Sequence, residues 1–230
     1  MIKIDIWSDF VCPFCYIGKK QLDEAIKELG LENQVKINYM AYELHPDAPK
    51  KRGYSYMQDI LNKYPSEEYV RENMLKPMIR EAQRLGFEMK FDDLDYQNTF
   101  DAHRIAKYAK FYNKEVDFFD ACYKEVFGEN GFISDDETLV RLAKEVGLDE
   151  TQVKDIIDDE DKFKDLVLED EARAEDLNMN GVPFYIFNDK YAVNGAQGVT
   201  TFKEILETIR GEAGFIDLSS ATNTCGPEGC

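Results

Sequence analysis

Ile2-Lys3-Ile4-Asp5-Ile6-Trp7, running straight into Ser8-Asp9-Phe10-Val11-Cys12-Pro13-Phe14-Cys15, decides how this chain folds. The first six residues alternate as a half-buried strand does. From Pro13 to Leu29 the apolar residues Ile17, Leu22, Ala25, Ile26 and Leu29 fall near helical spacing, and Gly30 supplies the stop. Pro13 suits the first turn of that helix, where a missing N–H is harmless and φ is preset. Cys12 therefore stands where a strand has ended and a helix begins. The first N–H groups of a helix lack internal partners and carry partial positive charge, which stabilises a thiolate, the reactive form of cysteine. Cys15, three residues on, can close a disulfide with it.

Working outward, Val35-Lys36-Ile37-Asn38-Tyr39-Met40 is a second strand, so the chain starts as β-α-β. Leu44 to Tyr54, with Pro46, Pro49 and Gly53, is a loop. From about Ser55 to Met179 almost everything reads as helix. Ser66 caps one running to Gly86 with Pro77 as a kink, Asn98 or Thr99 opens another, and a third spans about Lys114 to Phe127. Ser134-Asp135-Asp136-Glu137 and Asp149-Glu150-Thr151-Gln152 have capping-box spacing or a close variant of it. The acidic run Asp155 to Asp176 reads as the solvated face of amphipathic helices.

Past Gly181, Phe184-Tyr185-Ile186-Phe187 and Tyr191-Ala192-Val193 flank a turn at Asn188-Asp189-Lys190, a hairpin signal, and residues 201–210 form a last helix. The order is β-α-β, a helical block, then β-β-α. We expect an α/β fold with a discontinuous domain (1–54 and 180–211), an all-helical insertion (55–179) and a tail (212–230) carrying Cys225 and Cys230.

The chain has 230 residues and is 43% hydrophobic, enough to bury a sizeable core. A balance of 46 acidic against 28 basic residues, net −18, argues against nucleic acid or anionic lipid as a partner. No stretch approaches the roughly 20 apolar residues of a membrane span. The N-terminus enters a strand at once without signal-peptide character, so a cytoplasmic protein, as a monomer or homodimer, is the expectation. Five cysteines are too few to staple a chain of this size, and in a reducing compartment paired cysteines read as redox or metal sites.

Cys-x-x-Cys is also half of a zinc site, and four thiols from Cys12, Cys15, Cys225 and Cys230 have permissible spacing for one. The helix-start placement and Val182-Pro183, immediately before a strand, have no role in that reading. A cis bond at Val182-Pro183 would instead bring a backbone edge against the cysteine pair.

Ser8-Asp9-Phe10-Val11-Cys12-Pro13-Phe14-Cys15-Tyr16-Ile17-Gly18, together with Asn98-Thr99-x-x-Ala102-His103-Arg104 and Gly181-Val182-Pro183, resembles the DsbA-like thioredoxin superfamily. Within it the chain looks like the cytoplasmic FrnE-type branch, close to 2-hydroxychromene-2-carboxylate isomerases and kappa-class glutathione transferases. The resemblance implies a thioredoxin fold with a helical insertion, disulfide exchange at Cys12 and a cis-Pro183 opposite it. It also implies thiol- or disulfide-containing proteins or peptides as substrates, no bound cofactor or metal, and glutathione or another thiol as redox partner. Those isomerases and transferases have a serine where Cys12 stands and no partner at Cys15. Two thiols support two-electron redox, which favours a disulfide oxidoreductase or isomerase over glutathione-dependent chemistry on a small aromatic substrate, or over a holdase-like chaperone. With no histidine or basic residue between the cysteines, an intermediate redox poise is expected.

Cys225 and Cys230 are expected to form a second dithiol that relays electrons to Cys12–Cys15; about eleven residues of extended chain span roughly 35 Å. Trp7, Phe14, Tyr16, Val182, Asn98, Thr99 and His103 are the candidate substrate-contact residues, His103 also as a proton shuttle. Cys122 falls on an apolar helix stripe with Phe118, Phe119 and Val126 and reads as a buried thiol. Met57, Met74, Met78 and Met89 fit a core at helical spacing, or an adaptable groove. His45 reads as a surface residue.

Overall fold

The computed structural model describes residues 1–212. Among these, four strands form one sheet in the order β2-β1-β3-β4, with β1 at Ile2–Ser8, β2 at Val35–Ala41, β3 at Phe184–Phe187 and β4 at Tyr191–Asn194. β1 runs parallel to β2 and antiparallel to β3. Helix α1 (Pro13–Glu28) joins the two parallel strands, and α10 (Val199–Glu212) follows the β3–β4 hairpin. This is the split βαβ and ββα arrangement of a thioredoxin fold, with a run of helices between its halves.

The period of two along β1 sets the layers. Ile2, Ile4 and Ile6 point to the main core, where Ile4 lies level with Ile37 and Phe187, and Ile6 level with Tyr39 and Tyr185. Leu22, Ala25 and Ile26 of α1 and Phe202, Leu206 and Ile209 of α10 fill the same core. Trp7 points the other way, into a smaller cluster with Met40, Ile186 and Ala174. The hairpin turns through Asn188 and Asp189, both left-handed (φ 50° and 55°), as tight β connections require.

Between the halves lie α2 (Tyr56–Leu61), α3 (Glu67–Val70), α4 (Lys76–Arg84), α5 (Phe100–Lys110), α6 (Glu115–Tyr123), α7 (Asp136–Glu145), α8 (Glu150–Asp158) and α9 (Lys164–Asp176). Their side chains seal the open edge of β2, whose outward backbone groups would otherwise lie unpaired. Glu115 accepts from the Tyr39 N–H (3.2 Å) and Asp170 from the Ala41 N–H (2.7 Å), while Lys107 donates to the Tyr39 carbonyl (3.1 Å) and pairs with Asp170. Phe119 of α6 stacks on Tyr39 at 3.9 Å between centroids, so the inserted helices and the sheet share one core.

Several local expectations are refined. The helix expected from Ser66 to Gly86 starts as anticipated, with the Ser66 hydroxyl accepting from the Tyr69 N–H, but passes through a π-turn at Arg71–Leu75. Pro77 has no N–H to give Asn73, and the widened turn absorbs that loss. The stretch 87–98 is not helical; it crosses the protein extended and pairs at Ser55–Asp95. Asp149 caps α8 as expected, but Asp135, not Ser134, caps α7, because the Ser134 hydroxyl donates instead to the Asn98 carbonyl. Met57, Met78 and Met89 are buried and Met74 packs against the core. His45 is half-buried against the edge of Tyr96 rather than on the surface.

Candidate active site

Cys12 occupies the N-cap of α1 with Pro13 in its first turn, as the sequence predicts. The Asp9 carbonyl accepts the Cys12 N–H at 3.2 Å, and the Cys12 carbonyl accepts the N–H groups of Cys15 (3.0 Å) and Tyr16 (3.4 Å). These bonds fix a tight turn from the end of β1 into the helix. Both cysteines are free thiols and buried, at 4% and 2% exposure, whereas Phe14 between them is 48% exposed. Burial pushes the Cys15 thiol well above its usual range, and the adjacent Cys12 adds to this; Ser8 and the Asp9 backbone pull the other way. Cys15 is thus the thiol that holds its proton.

The loop before β3 closes over the pair. The Val182-Pro183 bond is cis, and the Cys12 thiol donates to the Val182 carbonyl at 3.5 Å. Pro183 is buried and its carbonyl accepts the Gly195 N–H at 2.8 Å. Gly18, one turn into α1, permits this approach: a Cβ there would sit 2.3 Å from the Tyr185 hydroxyl and 3.3 Å from both Pro183 Cγ and Ala196 Cβ. Tyr185 is fully buried beside the cysteines, which, after burial itself, push its phenol well above its ordinary value.

Of the candidate contact residues, Phe14 and Val182 lie at the mouth of the pair. Tyr16 is buried, stacked on Tyr123 at 4.8 Å and packed on Phe87. Trp7 is fully buried on the far face of the sheet, its indole N–H donating to the Asp170 carbonyl at 2.9 Å, so its role here is packing. The period of two that turns Ile6 toward Cys15 turns Trp7 away from it.

Asn98, Thr99, His103 and Arg104 work in different directions. Asn98 donates to the Pro46 carbonyl (3.0 Å) and accepts the Phe100 N–H (3.1 Å), tying the loop after β2 to the start of α5. Thr99 is buried at the N-cap of α5, without a side-chain capping bond. His103 lies beneath the turn, not at its mouth, with Nε2 3.6 Å from Asp9 Oδ1. Arg104, fully buried, donates to the carbonyls of Ile156, Asp159 and Lys162 and pairs with Asp101, stapling the turn between α8 and α9. Cys225 and Cys230 lie outside the described residues. Cys122 is fully buried, and burial pushes its thiol well up.

Sequence reading gave no role to Asp9, Gly18, Glu43, Tyr123, Glu171 or Tyr185. Asp9 and Gly18 carry a signal: an acid three residues before the first cysteine of the pair, and a helical glycine with no turn to make. Tyr123, whose hydroxyl meets Ser8 at 2.5 Å, and Glu43 and Glu171 reach the site only through tertiary packing. Beside the turn, the Asp9 carboxylate holds the Leu44 N–H at 2.7 Å, and Leu44 rims a groove of about 610 Å³ lined by His45, Pro46, Tyr54, Lys63 and Tyr96.

A dithiol at the start of the first helix, faced by a cis-proline loop on a β2-β1-β3-β4 sheet, marks a thioredoxin-fold protein. The chain belongs to the family of the DSBA-like thioredoxin domain, which matches residues 3–207. It is 30% identical to the uncharacterised protein YwbO of Bacillus subtilis (strain 168) over 207 residues, 89% of this chain and 96% of that one. A probable DsbA oxidoreductase of Streptomyces coelicolor superposes with a TM-score of 0.86 at 31% identity, covering 100% of this chain and 98% of that chain. Two more distant structures share the fold. A 2-hydroxychromene-2-carboxylate isomerase has a TM-score of 0.63 at 19% identity, over 92% of this chain and 98% of that one. The cytosolic disulfide reductase DsbM of Pseudomonas aeruginosa, determined with GSH, gives 0.62 at 13%, over 90% and 98%.

Proposed function

We propose that this protein is a thiol–disulfide oxidoreductase acting on protein or peptide disulfides, with Cys12 as the exchanging and Cys15 as the resolving thiol. The observation that carries this reading is the division of labour within the pair. Cys12 caps α1 against the Val182 carbonyl, while burial holds the proton on Cys15. In the forward direction the Cys12 thiolate attacks one sulfur of a substrate disulfide and the other sulfur leaves as a thiol. Cys15 then gives up its proton and attacks Cys12, releasing the second substrate thiol. Two electrons pass to the substrate, and Cys12–Cys15 becomes a disulfide. Glutathione or another small thiol returns the pair to the reduced state by the reverse steps.

Phe14 offers an exposed apolar contact at the mouth, and the groove beside Leu44 gives room for a peptide. Residues 1–54 and 180–211 form the catalytic domain in this reading, and the helices of 55–179 shape the substrate side. The Cys225/Cys230 pair serves as a second dithiol that passes electrons toward Cys12–Cys15, because a thiolate at a helix start favours the reduced form of the active-site pair.

The test is reduction of a disulfide-bonded protein such as insulin with glutathione as electron source. Wild type accelerates it, Cys12→Ser abolishes it, and Cys225→Ser/Cys230→Ser slows it. Full activity in Cys12→Ser contradicts the oxidoreductase assignment; unchanged turnover in the tail variant contradicts the relay alone.

A further inference from the structure

Asp9 and His103 face each other beneath the active-site turn, 0% and 1% exposed. Asp9 Oδ1 and His103 Nε2 stand 3.6 Å apart, an ion-pair distance, and neither atom has a hydrogen-bond partner among the described residues. The rest of Asp9 is committed to the site. Its carbonyl holds the Cys12 N–H, and Oδ2 holds the Leu44 N–H at 2.7 Å. With its backbone carbonyl on Cys12 and Oδ2 on Leu44, Asp9 turns Oδ1 to a single imidazole and depends on it, because a buried charge left unpaired is strongly unfavourable.

We infer that Asp9 and His103 are positioning residues for dithiol exchange, the imidazole fixing the side chain of Asp9, whose backbone carbonyl holds the Cys12 N–H. This rests on the oxidoreductase reading of the Cys12–Cys15 pair. Neither side chain is assigned a contact with substrate; both act through the turn. The elements around them supply the remaining charges. Glu43, from the loop after β2, and Glu171, from α9, lie within electrostatic reach of the imidazole, and the Glu43 N–H donates to Glu171 at 3.2 Å. Burial raises both carboxyls, Glu43 to about 7, and His103 opposes the rise in each. Asp101 on α5 adds to the rise at Glu43, and Lys107 and Asp170 pair with each other nearby on α5 and α9. Phe10 and Phe119 close the apolar side of the ring, at 4.7 and 6.2 Å between centroids.

Charge gives the inference a signature that loose packing cannot imitate. Removing the imidazole leaves a negative charge unpaired under the turn, which disfavours the Cys12 thiolate. Removing the carboxylate charge while keeping the bond to Leu44 favours it. The experiment measures the iodoacetamide alkylation rate of Cys12 against pH, in the full-length reduced protein, for wild type, His103→Gln, Asp9→Asn and the double variant. His103→Gln should slow alkylation at neutral pH by about fivefold or more and move the profile to higher pH. Asp9→Asn should move it to lower pH, and the double variant should return toward wild type.

Profiles that coincide with wild type in folded variants, or that move in the same direction for both single variants, overturn the inference. If His103→Gln does not fold, Asp9→Asn alone decides the matter: a shift to lower pH supports the inference, and a profile that coincides with wild type or moves to higher pH overturns it. Equilibration of wild type with glutathione buffers comes first. Failure to form a Cys12–Cys15 disulfide there overturns the functional reading itself, whereas coincident profiles with that disulfide formed overturn only the positioning role.

Discussion

The Cys12 thiol donates to the Val182 carbonyl at 3.5 Å, joining the start of α1 to the loop before β3 across 170 residues of chain. The bond exists only while Cys12 carries a proton. Disulfide formation removes the donor and leaves the Val182 carbonyl free to accept another, such as a backbone N–H of an extended substrate. In the proposed reaction, oxidation state and substrate contact meet at this one oxygen.

The first prediction concerns the intermediate. Cys15→Ser removes the resolving thiol and leaves Cys12 in place, so it should accumulate a mixed disulfide with a peptide substrate at Cys12. Cys12→Ser should accumulate none, because the buried Cys15 holds its proton. Mass spectrometry after acid quench reads both outcomes.

Gly18 offers a test of the packing behind the site. In most helices Gly→Ala stabilises by about 0.5–1 kcal/mol. Here the new Cβ would meet the Tyr185 hydroxyl at 2.3 Å, so Gly18→Ala should destabilise by about 1–3 kcal/mol. The Tyr185 hydroxyl has no hydrogen-bond partner among the described residues, so Tyr185→Phe should cost little alone and recover much of the loss in the double variant. Urea unfolding of the four proteins measures the coupling.

Glu43 predicts a pH dependence of stability. Its carboxyl titrates at about 7 in the folded chain against an ordinary 4.5, chiefly because it is buried. The folded state therefore binds more protons than the unfolded state between these values, and stability falls as pH rises through that window. Glu171, raised for the same reason, acts in the same direction. Urea midpoints between about pH 5 and pH 8 should show the decline, and Glu43→Gln should flatten it.

Cys122 should behave as an inert internal control. It is fully buried and its thiol is pushed well up, so iodoacetamide should modify Cys12 in the native reduced protein and spare Cys122 until the chain is unfolded. Peptide mapping of native and urea-treated samples distinguishes the two.

The strands, α1, α10 and the place of Cys12 were legible because local rules decide them: period two in Ile2–Trp7, helical spacing after Pro13, and a proline at a helix start. Val182-Pro183 was legible as a partner of the cysteines for the same reason, a proline standing just before a strand. Trp7 takes the far face of β1, which its proximity in sequence to Cys12 does not reveal. The sequence offers His103 as a substrate contact or proton shuttle, whereas its place beside Asp9 beneath the turn has no local sign, since the meeting of α5 with the β1–α1 turn is a tertiary event. Glu43 and Glu171 gave no local sign at all; their altered titration comes from burial by elements far apart in sequence. The π-turn at Arg71–Leu75 was half legible, Pro77 marking the fault without revealing how the helix would absorb it.

In the proposed function Cys12 and Cys15 form a reversible two-electron couple. Equilibrating the protein in glutathione buffers of graded ratio, quenching with acid and mapping the cysteines by mass spectrometry tests it most directly. Such a couple gives a single transition between free thiols and an intramolecular Cys12–Cys15 disulfide, with Cys122 unchanged throughout. Persistent free thiols across the whole range, or glutathione held stably on Cys12 while Cys15 stays reduced, would contradict it.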